Sequence, residues 1–203
     1  MNAFNAYYID SLLEARRVLV EQLGGTLNTV AKDVKLQVEF NPEAVKAYRL
    51  LGYESRMLRA EDFANDKVDG GEVGSGHSVT ALYEIIPAGS DEEVPGLDLK
   101  YQQRLSVPSS DLLNIAVRYK LPDGDTSQLI ERPVTLADRK TAPSDNMLWA
   151  GTVAEFALTL RQSEYAPGVS VAGALARARA VDYQADPYRM ELVEILEGLK
   201  TAE

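Results

Sequence analysis

The sequence predicts an α+β protein in which a β-rich region lies between helical segments. The spacing of apolar residues changes twice: it is helical up to about residue 23, alternating between residues 34 and 135, and helical again after Pro143. The strand-like segments follow one another through turn sequences with no helix between them, which excludes a doubly wound sheet. We therefore predict an antiparallel, immunoglobulin-like β-sandwich with an N-terminal helix and a C-terminal helical subdomain.

The first helix is predicted to begin at Ser11, because a serine followed three residues later by Glu14 has the capping-box spacing. Gly24 and Gly25 are predicted to end it. Its apolar residues recur at helical spacing and form one stripe, which needs a partner: Leu12, Ala15, Val18, Leu19 and Leu23.

The strands are predicted from alternation, from β-prone residues and from the turns that bound them. "VKLQVEF" alternates strictly, and "LLNIAVRYK" and "QLIERPVTL" flank the hairpin turn "LPDGDTS". The further predicted strands are "AVKAYRLLGYE", "HSVTALYEII" and "LDLKYQQRLSV".

Three helices are predicted after Pro143. Ser144 or Asp145 begins the first, which extends to about Gln162, and "SVAGALARARAV" is the second. Asp186 caps the third, with a proline in its first turn. Trp149 in the first of these helices is predicted to lie in the core or, alternatively, in a partner-binding patch.

The composition excludes several classes of function. A net charge of −10 disfavours nucleic-acid binding, which needs clustered lysine and arginine. The chain has no cysteine, which excludes thiol catalysis and disulfides, and it has no run of 18 apolar residues to span a membrane. Residues 1–8 lack the pattern of a signal peptide, so the protein is expected to be cytoplasmic unless an upstream part is missing.

An acidic stretch follows the second predicted strand. Residues 61–96 contain nine acidic residues and one lysine. One interpretation is a solvated loop; the alternative is a divalent-cation-binding module that uses the acidic loop 61–72. Asp62, Asp66 and Asp69 do not have the alternating spacing of an EF-hand, so no metal-binding residue is assigned.

The stretch "DGGEVGSGHS" combines four glycines with the single histidine, His77. Its glycines follow neither the dinucleotide-binding nor the P-loop pattern, and they are predicted to form a turn or bulge. Ser75 and Ser78 do not lie in a nucleophile elbow, and one histidine without cysteine is a poor zinc site. We therefore predict no catalytic residue, no cofactor and no enzyme, with a hydrolase around His77 as the least favoured hypothesis.

Five ordered segments resemble bacterial proteins that carry a von Willebrand factor type A domain. Residues 8–58, beginning "YIDSLLEARRVLVEQLGG", are similar to the junction that follows that domain, and residues 61–85 are similar to the next block. "LNIAVRYKLPDGD", "VAEFALTLRQSEY" and "YRMELVEIL" are similar to later blocks. The D-x-S-x-S metal motif of the type A domain is absent, so none of its metal ligands transfers to this chain.

The resemblance implies a domain of unknown function at the C-terminal end of a predicted lipoprotein or surface protein. Residues 1–33 would be the last strand and helix of the type A domain with a linker, residues 34–140 the β-sandwich, and residues 141–203 a helical portion packed on it. The implied role is a non-enzymatic accessory domain in the bacterial cell envelope that makes protein–protein contacts. Its expected partners include the type A domain of the same parent chain, with no nucleic acid and no membrane span.

Overall fold

The computed structural model describes residues 8–53, 57–94, 109–163 and 166–201. The chain divides into two compact units, Met1–Arg139 and Lys140–Glu203. The strands of the described residues lie in the first unit, in two antiparallel sheets, and the described elements of the second unit are helices. The predicted α+β, sandwich-like fold class is confirmed. The predicted packing of residues 141–203 on the sandwich stays a prediction.

The N-terminal helical segment has three consecutive parts. α1 is Leu12–Arg16, a π-helical turn covers Arg17–Glu21, and α2 is Leu23–Leu27. Ser11 is the N-cap as predicted, and its hydroxyl accepts a hydrogen bond of 3.0 Å from the Glu14 backbone N–H. The predicted end at Gly24 and Gly25 is wrong, because both glycines lie within α2.

The larger sheet has the strand order β3-β1-β5-β6. Its strands are β1 (Thr29–Phe40), β3 (Gly71–Gly74), β5 (Asp111–Lys120) and β6 (Gln128–Thr135). β1 begins five residues before the predicted Val34, because pairing with β3 across two register shifts extends it beyond the alternating stretch. The predicted pair of strands around "LPDGDTS" is confirmed as β5 and β6.

The smaller sheet contains β2 (Val45–Leu51) and β4 (Leu82–Pro87). The strand predicted in "HSVTALYEII" starts only at Leu82, where pairing with Leu51 begins. Phe40 of β1 joins the two sheets: its ring stacks on Tyr48 at 4.2 Å between centroids and meets Tyr83 edge-on at 5.4 Å. The strand predicted in "LDLKYQQRLSV" lies outside the described residues.

The helical unit contains α3 (Asp145–Leu160), α4 (Val171–Ala178) and α5 (Pro187–Lys200). The predicted caps Ser144 and Asp186 are confirmed, since both accept hydrogen bonds from backbone N–H groups of the first turn. The core of the unit is formed by Val171, Ala174, Leu175, Ala178, Val193 and Leu196.

Trp149 of α3 packs against this core, as the first of its two interpretations predicted, and the Arg189 guanidinium lies 5.1 Å from its ring centroid. Met147, two residues earlier, is half exposed. Across the described ranges, no helix is both long and apolar enough to cross a bilayer.

Candidate functional site: an exposed helical segment, a lysine-bound acidic loop and an open groove

The glycine-rich stretch before His77 forms an edge strand. Gly71–Gly74 is β3, which pairs antiparallel with β1 through Thr29↔Gly74 and Val34↔Gly71. The predicted turn is therefore found only after this strand, where Gly76, at φ +78°, has the left-handed conformation that glycine adopts without strain. The stretch leads into a turn rather than a helix, so it lacks the loop-to-helix arrangement of a phosphate-binding glycine loop.

Two glycine backbones meet where the helical segment reaches this edge strand. A Cβ atom at Gly74 would overlap the carbonyl oxygen of Gly25. A Cβ atom at Gly25 would lie 2.5 Å from Nε2 of His77 and 2.8 Å from the carbonyl oxygen of Ser75. The Ser75 N–H donates to the carbonyl oxygen of Asn28 at 2.8 Å. The imidazole of His77 thus lies against the backbone of α2.

The ring of His77 faces the backbone of Gly25. In the part of the chain that the structure describes, no hydrogen bond joins its ring to a serine or a carboxylate. Within the same ranges, no three His, Asp or Glu side chains gather as a metal site would require. What the arrangement provides is a packing contact between a helix and a strand.

The acidic loop is bound to the sheet by lysines that the sequence reasoning missed. Lys35 of β1 is 3% exposed. Its ammonium group donates to the backbone carbonyl oxygens of Asp62, at 3.1 Å, and Asn65, at 2.6 Å. A buried ammonium group needs such acceptors because an unpaired buried charge is costly.

A second lysine holds the middle of the same loop. Nζ of Lys120 in β5 lies 2.7 Å from Oδ2 of Asp33 and donates to the carbonyl oxygen of Asp66 at 3.2 Å. The hydrogen bond with Lys120 lowers the pKa of Asp33, and the same bond raises the pKa of Lys120. Asp33 has φ +52°, and a Cβ atom at Gly70 would lie 2.5 Å from its carbonyl carbon.

Of the loop carboxylates, Asp66 is also bound through its side chain. It accepts a short hydrogen bond from the Ser127 hydroxyl and lies 3.7 Å from Arg118. Lys35 and Arg118 are paired neighbours on β1 and β5, so their strands present basic groups side by side to the loop. This clustering of basic residues on paired strands is the signal that could have revealed the contact in the sequence.

An apolar groove lies between the two sheets. Its volume is about 390 Å³. Leu36 and Ile85 at its edge are each about half exposed, so the groove is open. Its walls are Leu36, Val38, Phe40, Ala81, Tyr83, Ile85, Leu113 and Ile115.

The N-terminal helical segment exposes most of its large apolar side chains. Leu12 is 91% exposed and Leu27 76% exposed, whereas Val18 is buried. The exposed stripe comprises Leu12, Leu19, Val20, Leu23 and Leu27. Of the stripe that was predicted to need a partner, Leu12, Leu19 and Leu23 are exposed in the described part of this chain, whereas Val18 is buried and Ala15 is partly buried.

Comparison with known proteins identifies the family. Residues 25–201 match the family model described as "Uncharacterized protein YfbK, C-terminal". The chain is 39% identical over 198 residues to "Uncharacterized protein YfbK" of Escherichia coli (strain K12), covering 95% of this chain and 34% of that protein. It therefore spans about a third of the length of the curated relative that it matches. No solved structure matches the chain. The chain belongs to the YfbK C-terminal family.

Proposed function

We propose that this chain is a non-enzymatic accessory domain that makes protein–protein contacts, first of all with a von Willebrand factor type A domain in the same parent protein. The observation that carries the proposal is the exposed stripe on the N-terminal helical segment. Leu12, Leu19 and Leu23 present apolar surface that would be covered in a stable assembly.

The helical segment lies largely ahead of the family domain. The family match begins at Gly25, whereas the alignment with the longer E. coli protein covers 95% of this chain. That alignment must therefore include part of residues 1–24. The family match is to the C-terminal part of a longer protein. We therefore expect the stripe to contact the region of that protein that precedes the match.

The physical chemistry of the segment also favours a partner. Isolated helices shorter than about 12–15 residues are marginal in water, and most of their stability in proteins comes from packing an apolar face. Here α1 and α2 have five residues each and a π-helical turn separates them. Burial of one leucine side chain contributes roughly 1.5–3 kcal/mol. A partner on the stripe would therefore stabilise the segment.

The identity of the partner and the cellular location rest on the family resemblance. Residues 8–58 are similar to the junction after a type A domain in predicted lipoproteins and surface proteins of bacteria. A location in the cell envelope, with the anchor outside this chain, follows from that resemblance. Fractionation of cells that produce the full parent protein tests it: recovery in the cytosolic fraction would contradict an envelope location.

Binding in trans tests the contact itself. The probe is the region of the E. coli relative that precedes its match to this chain, titrated into this chain by calorimetry. We expect saturable binding that the double substitution Leu19→Glu/Leu23→Glu weakens by at least roughly tenfold, since two leucines that the partner would cover are replaced by charges.

Arg16→Glu is the matched control, because Arg16 belongs to the same segment and its side chain is 71% exposed. The control should bind as the parent chain does. Equal affinity of the parent and the double variant would remove the stripe as the contact surface. Hydrolytic turnover by the purified chain that His77→Ala abolishes would contradict the non-enzymatic role.

A further inference from the structure

Gly25 and Gly74 bring the backbone of the helical segment into close contact with the sheet. Neither position has room for a side chain, because a Cβ atom at either one would collide with backbone atoms of the other segment. Contacts of this closeness are open only to glycine. The adjoining hydrogen bond from the Ser75 N–H to the Asn28 carbonyl oxygen, 2.8 Å long, continues the contact toward β1.

His77 also takes part in this contact, through its ring and its backbone. Its own N–H donates to the carbonyl oxygen of Gly74 at 3.1 Å, which holds the residue in the turn after β3. From there the ring reaches the backbone of Gly25. The neighbouring Gly24 differs sharply, since a Cβ atom there would meet nothing within 4 Å.

We propose that Gly25, Gly74 and His77 form a joint that fixes the direction in which the helical segment leaves the sheet. A domain that binds the exposed stripe is then held in a defined orientation to the β-sandwich. The identity of that domain rests on the proposed function, whereas the joint lies wholly within this chain. His77 is a positioning residue in this arrangement: it acts through α2 and binds no ligand.

The burial of the segment supports this role. Val18 is its buried large side chain, and the stripe on the same segment is exposed. The exposed side chains of the stripe therefore add little to the hold of the segment on the sheet. The glycine contact and the histidine ring supply a second, directional attachment at the end of the segment that adjoins β1.

The test measures the direction of the segment in the intact chain. Because the chain has no cysteine, Arg16→Cys/Glu39→Cys introduces two unique labelling sites, one on the helical segment and one on β1. Pulsed electron paramagnetic resonance between spin labels at these sites reports their distance distribution. We expect a narrow distance distribution in the parent chain. His77→Ala should broaden or shift this distribution, and Gly74→Ala should change it in the same way.

Gly24→Ala is the matched control and should leave the distribution unchanged. If Gly74→Ala fails to fold, as judged by circular dichroism, His77→Ala decides the question, because it removes atoms and adds none. A distribution that is already broad in the parent chain, or one that His77→Ala leaves unchanged, would overturn the joint. Such a result would leave the binding of the stripe in trans unaffected, so the two proposals fail separately.

Discussion

The ammonium group of Lys35 lies 2.6 Å from the backbone carbonyl oxygen of Asn65, thirty residues away in the chain. The lysine is buried in β1, and its second acceptor is the carbonyl oxygen of Asp62. The positively charged side chain of Lys35 therefore holds the loop 61–72, which contains most of the acidic residues of the stretch 61–96. The acidic loop is part of the folded unit through this contact.

Replacement of Lys35 by methionine should destabilise the first unit. The substitution keeps an unbranched apolar stem but removes two charged hydrogen bonds to carbonyl groups, so we expect a loss of about 1.5–3 kcal/mol in the free energy of unfolding. Urea titration followed by circular dichroism measures it. Lys67→Met, at an exposed position of the same loop, should stay within about 0.5 kcal/mol of the parent. Equal stability of both variants would show that the buried ammonium group contributes nothing.

Acid should weaken the contact between Asp33 and Lys120. The folded-state pKa of Asp33 is lowered, so its contribution is present at neutral pH and is lost as the pH falls through that pKa. Asp33→Asn keeps a side chain that tolerates positive φ but removes the charge. We expect the parent to be more stable than this variant at pH 7 and the difference to shrink below about pH 4. A difference in unfolding free energy that is constant from pH 7 to pH 3 would contradict the assignment.

Gly70→Ala should destabilise the first unit because the new Cβ atom would lie 2.5 Å from the carbonyl carbon of Asp33. Relief of that overlap requires a backbone shift, and overpacking of this kind costs about 1–3 kcal/mol. Gly89→Ala is the control, since a Cβ atom there meets nothing within 4 Å. Thermal unfolding should give a lower melting temperature for Gly70→Ala than for Gly89→Ala. Identical melting temperatures would show that the backbones of Gly70 and Asp33 can move apart at no cost.

Leu196→Ala tests the core of the helical unit. Leu196 is fully buried in α5 among the side chains of α4, and its truncation should cost about 2–5 kcal/mol. Leu199→Ala in the same helix should cost less, because Leu199 is 39% exposed. Chemical denaturation read at Trp149, which packs against this core, reports on this unit. A larger loss for Leu199 than for Leu196 would contradict the packing.

Calcium should leave the melting temperature of the chain unchanged at millimolar concentration. The carbonyl oxygens of Asp62, Asn65 and Asp66 accept hydrogen bonds from Lys35 and Lys120, and calcium prefers oxygen ligands of this kind. The ammonium groups therefore compete directly with a cation for the loop. A saturable rise of the melting temperature with calcium, but not with magnesium at equal ionic strength, would establish the loop as a cation site.

The strands with strict alternation could be predicted from the sequence, whereas the contacts between elements could not. "LLNIAVRYK" and "QLIERPVTL" have local patterns and a turn that determine their pairing. β3 escaped prediction because Gly71 and Gly74 have no side chains to form an alternating pattern. The glycines of α2 were misassigned because helix-ending glycine is a common local pattern, whereas the place of Gly25 depends on a distant contact with Gly74.

The lysine contacts of the candidate site could not be predicted from the sequence either. Lys35 occupies a polar position of an alternating strand, which in an antiparallel sheet commonly faces solvent. Its burial depends on a loop that begins about 25 residues later in the chain and folds back over it. Leu12, Leu19 and Leu23 of the N-terminal segment, by contrast, could be identified from spacing alone. The burial of Val18 and the exposure of Val20 and Leu27 could not.

Because Lys35 and Lys120 bind the loop through backbone carbonyl oxygens, they recognise its path rather than its side chains. Every residue type supplies the same carbonyl group, so the attachment is compatible with many loop sequences. Substitutions in the family should therefore be tolerated at exposed loop positions such as Lys67, while the two lysines and the loop length stay constrained. The exposed side chains of the loop can thus change while its attachment to the sheet, and with it the fold, is kept.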